Sequence, residues 1–147
     1  MDRVLGYIKI GQEEGAVLAT GGKRIDRDGF FVEPTLFVNV LPNMRIAKEE
    51  IFGPVLSVIK FKDLDEAISI ANNSEYGLFG GVFSSDINTC HKVASKVDVG
   101  HMTVNSYFAN TYDACFGGFK NSGFGRDLGP EAIDAFFESK TVVWDLN

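Results

Sequence analysis

The sequence predicts a globular chain with an α/β fold, and three observations support this. Over residues 54–105, short runs rich in β-branched residues alternate with segments whose apolar residues recur at helical spacing, in the order strand, helix, strand, helix, strand. Such alternation is typical of parallel strands joined by helices. Hydrophobic residues make up 45% of the chain and charged residues 23%, as in ordinary globular domains. A chain of 147 residues is long enough to bury a core.

The first predicted element is an amphipathic helix. Over residues 2–14, Val4, Leu5, Ile8 and Gly11 recur at helical spacing, and Gly15 is placed to end the helix. Three strands are predicted after it, at residues 16–20, 35–40 and 54–61. The third of these, "PVLSVIKF", is rich in β-branched residues, and we expect it to be buried.

The next two helices carry start signals. Asp63 is predicted to cap a helix, and Glu66, three residues later, completes a pattern close to a capping box. Ser85 is predicted to cap the following helix. We expect the apolar face of that helix to be buried; it consists of Ile87, Cys90, Val93, Ala94 and Val97.

The remaining elements lead to a distinctive end of the chain. Strands are predicted at residues 77–83 and 101–105, and ligands of α/β sheets gather where strands end, so residues 105–116 are expected at a binding mouth. Pro130 is predicted to be the first residue of a last helix. The segment "KTVVWDL" at 140–146 predicts a strand that is apolar on both faces and needs a partner sheet.

Composition and charge exclude several classes of function. The formal net charge is −6, which argues against nucleic-acid binding because that needs clustered Lys and Arg. No apolar stretch approaches the roughly 20 residues of a membrane-spanning helix, and the N-terminus lacks the pattern of a secretory signal. Cys90 and Cys115 are the two cysteines of the sequence and have no metal-site spacing, so we predict no metal site and a reducing, cytoplasmic setting.

The glycine-rich stretch "GGFKNSGFGRDLG" leaves two interpretations open. Gly123, Gly125 and Gly129 form a G-x-G-x-x-x-G pattern, one residue longer than the dinucleotide-binding fingerprint, which also requires a strand directly before it. A tight loop ahead of a helix is the favoured interpretation. Cys90 lies on an apolar helix face and is predicted to be structural, whereas Cys115 lies in a loop without a neighbouring His to ionise it, so we predict no catalytic residue in the chain.

Several motifs occur in an order and spacing that point to one family. They include "KEEIFGPV" at 48–55, "FGGFKNSGFGRDLG" at 116–129 and "KTVVWDL" at 140–146. Together they resemble the C-terminal part of the NAD(P)-dependent aldehyde dehydrogenases, over essentially all 147 residues, and are most similar to non-specific and betaine- or aminoaldehyde-type members.

The resemblance implies a fold, a division of the chain and an activity. Residues 1–121 would be the C-terminal portion of the parallel-sheet catalytic domain, and residues 122–147 would form the glycine-rich loop, a helix and a terminal oligomerisation strand. Family members convert an aldehyde, NAD(P)+ and water into a carboxylic acid and NAD(P)H. Their nucleophilic Cys, base Glu and most of the dinucleotide domain belong to segments upstream of the matched region, so we expect a truncated or split product that is inactive alone. The alternative is a non-catalytic interaction module.

The resemblance also assigns residues to the cofactor and the substrate. Glu50 matches the glutamate that hydrogen-bonds the nicotinamide-side ribose of NAD or NADP, and Phe52 matches the aromatic residue beside that ribose. Asn105, Tyr107 and Phe116 match positions around the tunnel through which the aldehyde substrate enters.

The resemblance further implies an ion site and a partner, and the chain departs from the family pattern at two positions. The backbone from Lys120 to Gly123 matches a monovalent-cation site of some betaine aldehyde dehydrogenases. Residues 140–146 match the strand that joins a neighbouring subunit, so we expect a homo-oligomer or association with a full-length relative. Cys115 stands where many relatives have Pro, and Asn110 where several have an aromatic residue.

Overall fold

The computed structural model describes residues 1–107 and 111–146. The α-helices are α1 (Asp2–Glu13), α2 (Arg45–Lys48), α3 (Leu64–Asn72) and α4 (Ile87–Lys96), and a 3₁₀ helix covers Pro130–Phe136. The strands are β1 (Val17–Thr20), β2 (Thr35–Val38), β3 (Val55–Ser57), β4 (Tyr76–Gly77), β5 (Phe79–Val82), β6 (His101–Val104) and β7 (Phe119–Lys120). The predicted α/β class is confirmed.

The chain divides into two compact units, Met1–Ser74 and Glu75–Asn147. The boundary between residues 121 and 122 that the family resemblance implies is a different kind of division, because it separates family segments, and it stays a prediction.

The first unit is a three-stranded sheet covered by α1. β1 runs antiparallel to β2, and β3 runs parallel to β2 on its other side. Val4 and Ile8 of α1 are buried against Phe37 of β2, which is fully buried. The amphipathic spacing that predicted α1 thus places its apolar stripe on the core, and the first two predicted strands are confirmed to within two residues.

The third predicted strand is shorter and more exposed than expected. β3 covers Val55–Ser57 instead of residues 54–61, and Leu56 is 62% exposed. β3 has β2 as its neighbour and lies at the edge of the sheet among the described residues. The exposure of Leu56 shows that the described residues leave this side of β3 largely open. The prediction of a buried strand was therefore wrong.

The second unit is built on a parallel pair of strands. β5 and β6 are joined by α4 and pair from Phe79–His101 to Val82–Val104. β4 and β7, which are distant in sequence, form a separate short antiparallel pair in which Tyr76 lies opposite Lys120. Parallel pairs therefore occur in both units, each accompanied by an antiparallel pair.

The caps of α3 and α4 are formed by aspartates. The Asp63 side chain accepts a hydrogen bond from the Glu66 N–H at 2.9 Å, as predicted, while the Glu66 carboxylate accepts from the Lys62 N–H at 2.6 Å. For α4 the prediction of Ser85 was wrong. Asp86 is the cap, and its carboxylate accepts from the N–H groups of Asn88 and Thr89, both at 3.1 Å.

The apolar face of α4 is covered only in part, whereas the prediction had all of it buried. Cys90 is 2% exposed, and Val93 and Val97 are half-buried. Ile87 is 60% exposed, and Ala94 is also exposed. α4 contacts β5 and β6, and a pair of strands is too narrow to cover a whole helix face.

The end of the chain differs most from expectation. Pro130 does begin a helical segment, but it is a 3₁₀ helix without buried residues. The predicted strand at 140–146 is not formed, and its residues are exposed, with Trp144 79% and Leu146 90% accessible. A strand needs hydrogen-bond partners from a neighbour, and none of the described strands pairs with this segment. Within the described residues, no helix is both long and apolar enough to cross a bilayer.

Candidate cofactor and substrate site

Hydrogen bonds and close packing connect the segment from Glu49 to Gly53 to α1. The Arg3 guanidinium donates a hydrogen bond to the Glu50 carbonyl oxygen at 2.6 Å, and the Tyr7 hydroxyl donates to the Glu49 carboxylate at 2.7 Å. Ile51 is buried in the core cluster that includes α1 residues. A Cβ at Gly53 would lie 2.6 Å from a methyl group of Val4, so glycine permits the close approach.

Glu49 is held by two neighbours. The Arg45 guanidinium donates to both of its carboxylate oxygens, at 2.7 and 2.9 Å, and Tyr7 donates to one of them. The hydrogen bonds from Arg45 and then Tyr7 lower the pKa of Glu49 to about 2, and the hydrogen bond to Glu49 raises the pKa of Arg45 above its usual value. Glu49 therefore stays ionised through the neutral range and has a structural role.

Glu50, the next residue, is used differently. Its backbone carbonyl is bound by Arg3, but its exposed carboxylate has no hydrogen bond or ion pair with the residues that the structure describes. An ionised carboxylate is an acceptor with two oxygens, which matches a pair of adjacent hydroxyl groups. Of the two glutamates in "KEEIFGPV", Glu50 is the one with a carboxylate available to a ligand.

Phe52 combines exposure with backbone strain. Its side chain is 82% exposed, between the buried Ile51 and the close-packed Gly53. Its φ is +58°, a left-handed conformation that is rare for a bulky residue and costs about 1–3 kcal/mol. An aromatic ring is thus projected into solvent at an energetic cost, beside a carboxylate that has no partner among the described residues.

Asn105, the first predicted tunnel residue, follows β6 and binds the backbone of Ser84. Its Oδ1 accepts from the Ser84 N–H at 2.9 Å, and its Nδ2 donates to the Ser84 carbonyl at 2.9 Å. Its φ of +52° is one that asparagine tolerates well. The amide retains one N–H and one lone pair for a ligand.

Tyr107 and Phe116 lie in one row of aromatic rings. Tyr107 packs edge-on against Phe79 with 5.7 Å between ring centroids, Phe79 stacks on His101 at 5.4 Å, and His101 is 5.7 Å from Phe116. The structure thus links two of the three predicted tunnel residues, while Asn105 is tied to Ser84 instead.

Phe79 and His101 were not identified from the sequence. They are directly paired on β5 and β6, and paired residues of neighbouring strands share one face of the sheet. The signal that would have revealed them is the register of the two strands, which helical and strand periodicity do not specify. Phe116 also lines a cavity of about 410 Å³ in the glycine-rich loop.

The Lys120–Gly123 segment is a tight turn after β7. The Gly123 N–H donates to the Lys120 carbonyl at 3.2 Å, and Lys120 has a φ of +52°. A carbonyl oxygen has a second lone pair, so the Lys120 carbonyl oxygen could also coordinate a cation. Asn110 lies outside the described residues.

Neither cysteine has the surroundings of an activated nucleophile. Cys90 is 2% exposed, and its thiol lies 3.7 Å from the Ser84 carbonyl. The Cys115 thiol donates to the Glu131 carboxylate at 2.7 Å, and this hydrogen bond raises the pKa of Cys115 above its usual value. A thiolate is the nucleophilic form of cysteine, so the carboxylate suppresses the reactivity of Cys115.

Comparisons with known proteins identify the family of the chain. A sequence profile described as the aldehyde dehydrogenase family matches residues 1–142. Aldehyde dehydrogenase 1 from Tanacetum cinerariifolium is 48% identical over 142 residues, which cover 97% of this chain and 28% of that protein. Cytosolic aldehyde dehydrogenase 1 from Mus musculus is 47% identical over 146 residues, covering 99% of this chain and 29% of that protein.

Solved structures give the same result. Betaine aldehyde dehydrogenase from Staphylococcus aureus in complex with NAD+ superposes with a TM-score of 0.89 at 43% identity, over 92% of this chain and 28% of that one. An NAD-dependent aldehyde dehydrogenase from Sinorhizobium meliloti gives a TM-score of 0.89 at 41% identity, over 90% of this chain and 26% of that one. The chain spans less than a third of the length of these relatives. Because the family profile matches residues 1–142 of the 147 in the chain, the chain belongs to the aldehyde dehydrogenase family.

Proposed function

We propose that the chain contributes two parts of an NAD(P)-dependent aldehyde dehydrogenase. Glu50 and Phe52 would form the nicotinamide-ribose contact, and Asn105, Tyr107 and Phe116 would form part of the substrate tunnel. The reaction converts an aldehyde, NAD(P)+ and water into a carboxylic acid and NAD(P)H. When bound, NAD(P)+ supplies the hydride acceptor. Glu50 would accept hydrogen bonds from the ribose hydroxyls, and Phe52 would pack beside that ribose.

The observation that carries this proposal is the geometry of Glu50 and Phe52. A carboxylate without a partner among the described residues and a strained, 82% exposed aromatic ring stand two positions apart on a backbone that the core and α1 hold. Strain of this kind persists where the surroundings enforce it, and it concentrates at ligand sites. Both groups fit a ribose, which offers hydroxyl donors and an apolar ring face.

The aromatic row supports the substrate side of the proposal. Tyr107 and Phe116, linked through Phe79 and His101, would form an apolar wall that keeps water from an aldehyde. Asn105 would contribute the N–H and the lone pair that its amide retains. We also propose that the Lys120–Gly123 turn binds a monovalent cation through its carbonyls. A cytoplasmic location is proposed by analogy with the mouse relative, which is named cytosolic.

We propose further that the 147-residue chain does not oxidise aldehydes by itself. The Cys90 thiol is buried, and the Cys115 thiol is hydrogen-bonded to a carboxylate, so neither is suited to attack a carbonyl. Purified chain incubated with NAD+ and propanal or betaine aldehyde should form no NADH above background. Turnover would contradict this part of the proposal.

The cofactor role is tested in a carrier enzyme, defined as the S. aureus betaine aldehyde dehydrogenase with its matching segment replaced by residues 1–147. Hydrogen bonds to a charged group contribute about 1.5–3 kcal/mol, so Glu50→Gln should raise the KM for NAD+ by about tenfold or more. The control is Glu13→Gln on the exposed side of α1, which should leave KM unchanged. Equal KM values for the two variants would refute the role of Glu50.

A second candidate function is supported by the exposed end of the chain. Val143, Trp144 and Leu146 are 88%, 79% and 90% exposed, and a patch of this kind marks an interaction surface. The chain would then act as a non-catalytic module that associates with itself or with a full-length relative through residues 140–146. Size-exclusion chromatography with and without residues 138–147 tests this, and a monomeric profile for both forms would exclude it.

A further inference from the structure

We propose that Arg3 and Tyr7 are positioning residues that hold Glu50 and Phe52 in the conformation presented to the cofactor. This inference rests on the proposed roles of Glu50 and Phe52. It adds two residues of α1, 43 to 49 positions earlier in the chain, that would not touch the cofactor themselves.

The first step concerns what keeps Phe52 in place. A left-handed φ is unfavourable for phenylalanine, and a ring that is 82% exposed has little packing of its own to offset this cost. The conformation must therefore be enforced by the neighbouring residues. Ile51 is buried, and Gly53 packs on Val4, so one side of Phe52 is held by the core and the other by α1.

The second step concerns Glu50. Arg3 binds the Glu50 carbonyl oxygen at 2.6 Å and leaves the carboxylate alone. The bond therefore fixes the backbone from which the carboxylate projects without neutralising its charge. A side chain that bound the Glu50 carboxylate itself would compete with a ribose.

The third step concerns Tyr7, which organises the charges around this segment. Its hydroxyl binds Glu49, and the guanidinium groups of Arg3 and Arg45 lie 5.7 and 5.6 Å from its ring centroid. Arg3 and Tyr7 are one helical turn apart on α1 and so face the same side. Tyr7 thus holds Glu49 directly and lies beside the arginine that holds Glu50.

The conformation is tested in the chain itself by NMR. A positive φ brings the amide and α protons of a residue close together, so unsubstituted chain should show a strong intraresidue NOE at Phe52. The double variant Arg3→Ala, Tyr7→Phe should weaken this NOE and lower the backbone order parameters of residues 50–53 from about 0.85 towards 0.6. Arg3→Lys, which retains an N–H donor, should preserve both signals.

The matched control is Lys9→Ala, which removes an exposed ion pair with Glu13 on the same helix, 3.5 Å long and remote in sequence from residues 49–53. It should leave the Phe52 signals unchanged. Unchanged NOE and order parameters in the double variant would overturn the inference, since the anchors would then not determine the conformation.

The functional consequence is measured in the carrier enzyme defined above. Arg3→Ala should raise the KM for NAD+ about fivefold to thirtyfold with kcat little changed, and Arg3→Lys should restore it. If Glu50→Gln raises KM and Arg3→Ala does not, the positioning role is wrong while the cofactor role stands. If Glu50→Gln has no effect, the proposed function itself fails. An inactive carrier leaves the NMR result to decide.

Discussion

At the scale of single residues, two adjacent glutamates show how position decides use. The Glu49 carboxylate accepts hydrogen bonds from Arg45 and Tyr7, whereas the Glu50 carboxylate has no hydrogen bond or ion pair with the described residues. Phe52 extends the contrast because an apolar ring is exposed and strained where burial would be favourable. Consistent local preferences are the rule in stable folds, and departures of this kind are expected at functional sites.

Phe52→Gly should stabilise the chain. Glycine adopts a φ of +58° without the cost of about 1–3 kcal/mol, and it adds about 0.5–1 kcal/mol of unfolded-state entropy, so the net gain is about 1 kcal/mol. The control is Phe30→Gly, because Phe30 is 86% exposed and lacks a positive φ, and it should lose about 0.5–1 kcal/mol. Urea unfolding compares the two, and equal losses would show that Phe52 is not strained.

Glu49 should make stability depend on pH in the acid range. Its pKa is lowered in the folded chain, so its contribution is fully present above its ordinary pKa of 4.5 and is lost as the pH falls towards about 2. Urea midpoints of the unsubstituted chain should therefore fall over this window more steeply than those of Glu49→Gln. Glu13→Gln serves as the control, and identical slopes for all three proteins would contradict the role of the Arg45 contact.

At the scale of elements, the start of α4 shows how a helix end depends on its surroundings. Asp86 accepts hydrogen bonds from two N–H groups of the first turn, and the Ser84 hydroxyl in turn accepts from the Asp86 N–H at 3.1 Å. Asn105 fixes both backbone groups of Ser84. A residue after β6 thereby sets the entry into α4, the helix that joins β5 to β6.

Asp86→Ala should cost about 1 kcal/mol of the free energy of unfolding, because it removes the acceptor for two helix N–H groups. Ser85→Ala should change it by less than about 0.5 kcal/mol, the usual range for surface substitutions. Urea denaturation of the two variants discriminates between the caps. A larger loss for Ser85→Ala would mean that the cap is the one that sequence alone suggested.

Local patterns predicted the elements whose signals are themselves local. The spacing of Val4 and Ile8 specified α1, and Asp63 with Glu66 specified the start of α3. The cap of α4 was misassigned because Ser85 and Asp86 are both good caps and adjacent. The backbone just before them is bound by Asn105, 19 or more positions away, and a local pattern carries no signal for that contact.

The candidate site was predicted in part for the same reason. Glu50 and Phe52 lie within one contiguous motif, so the family resemblance of that motif could assign them as candidates, and their roles stay a prediction. The bond between Arg3 and Glu50 spans 47 positions, and the stacking of Phe79 on His101 depends on strand register. Contacts of this kind arise from tertiary structure, and no single segment carries a signal for them.

At the scale of the whole molecule, the surface is more apolar than the composition suggests. Large apolar side chains are exposed in both units, including Leu56 of β3 and Ile87 of α4, as well as most of the segment after the 3₁₀ helix. The net charge of −6 favours solubility but does not cover these faces. Association is the expected response of such a surface.

The chain contains a single tryptophan, and its position makes it a reporter of that association. Trp144 is 79% exposed between Val143, 88% exposed, and Asp145, so its fluorescence in dilute solution should be that of a solvated indole. If residues 140–146 bury themselves against a second copy, emission should shift to the blue as the concentration rises, in parallel with the sedimenting mass. Leu146→Asp places a charge in the contact and should move both transitions to higher concentration, whereas Leu56→Asp, an equally apolar site outside this segment, should not move the Trp144 signal. A solvated emission spectrum and a monomeric mass at every concentration would mean that the exposed segment is not an association surface of this chain.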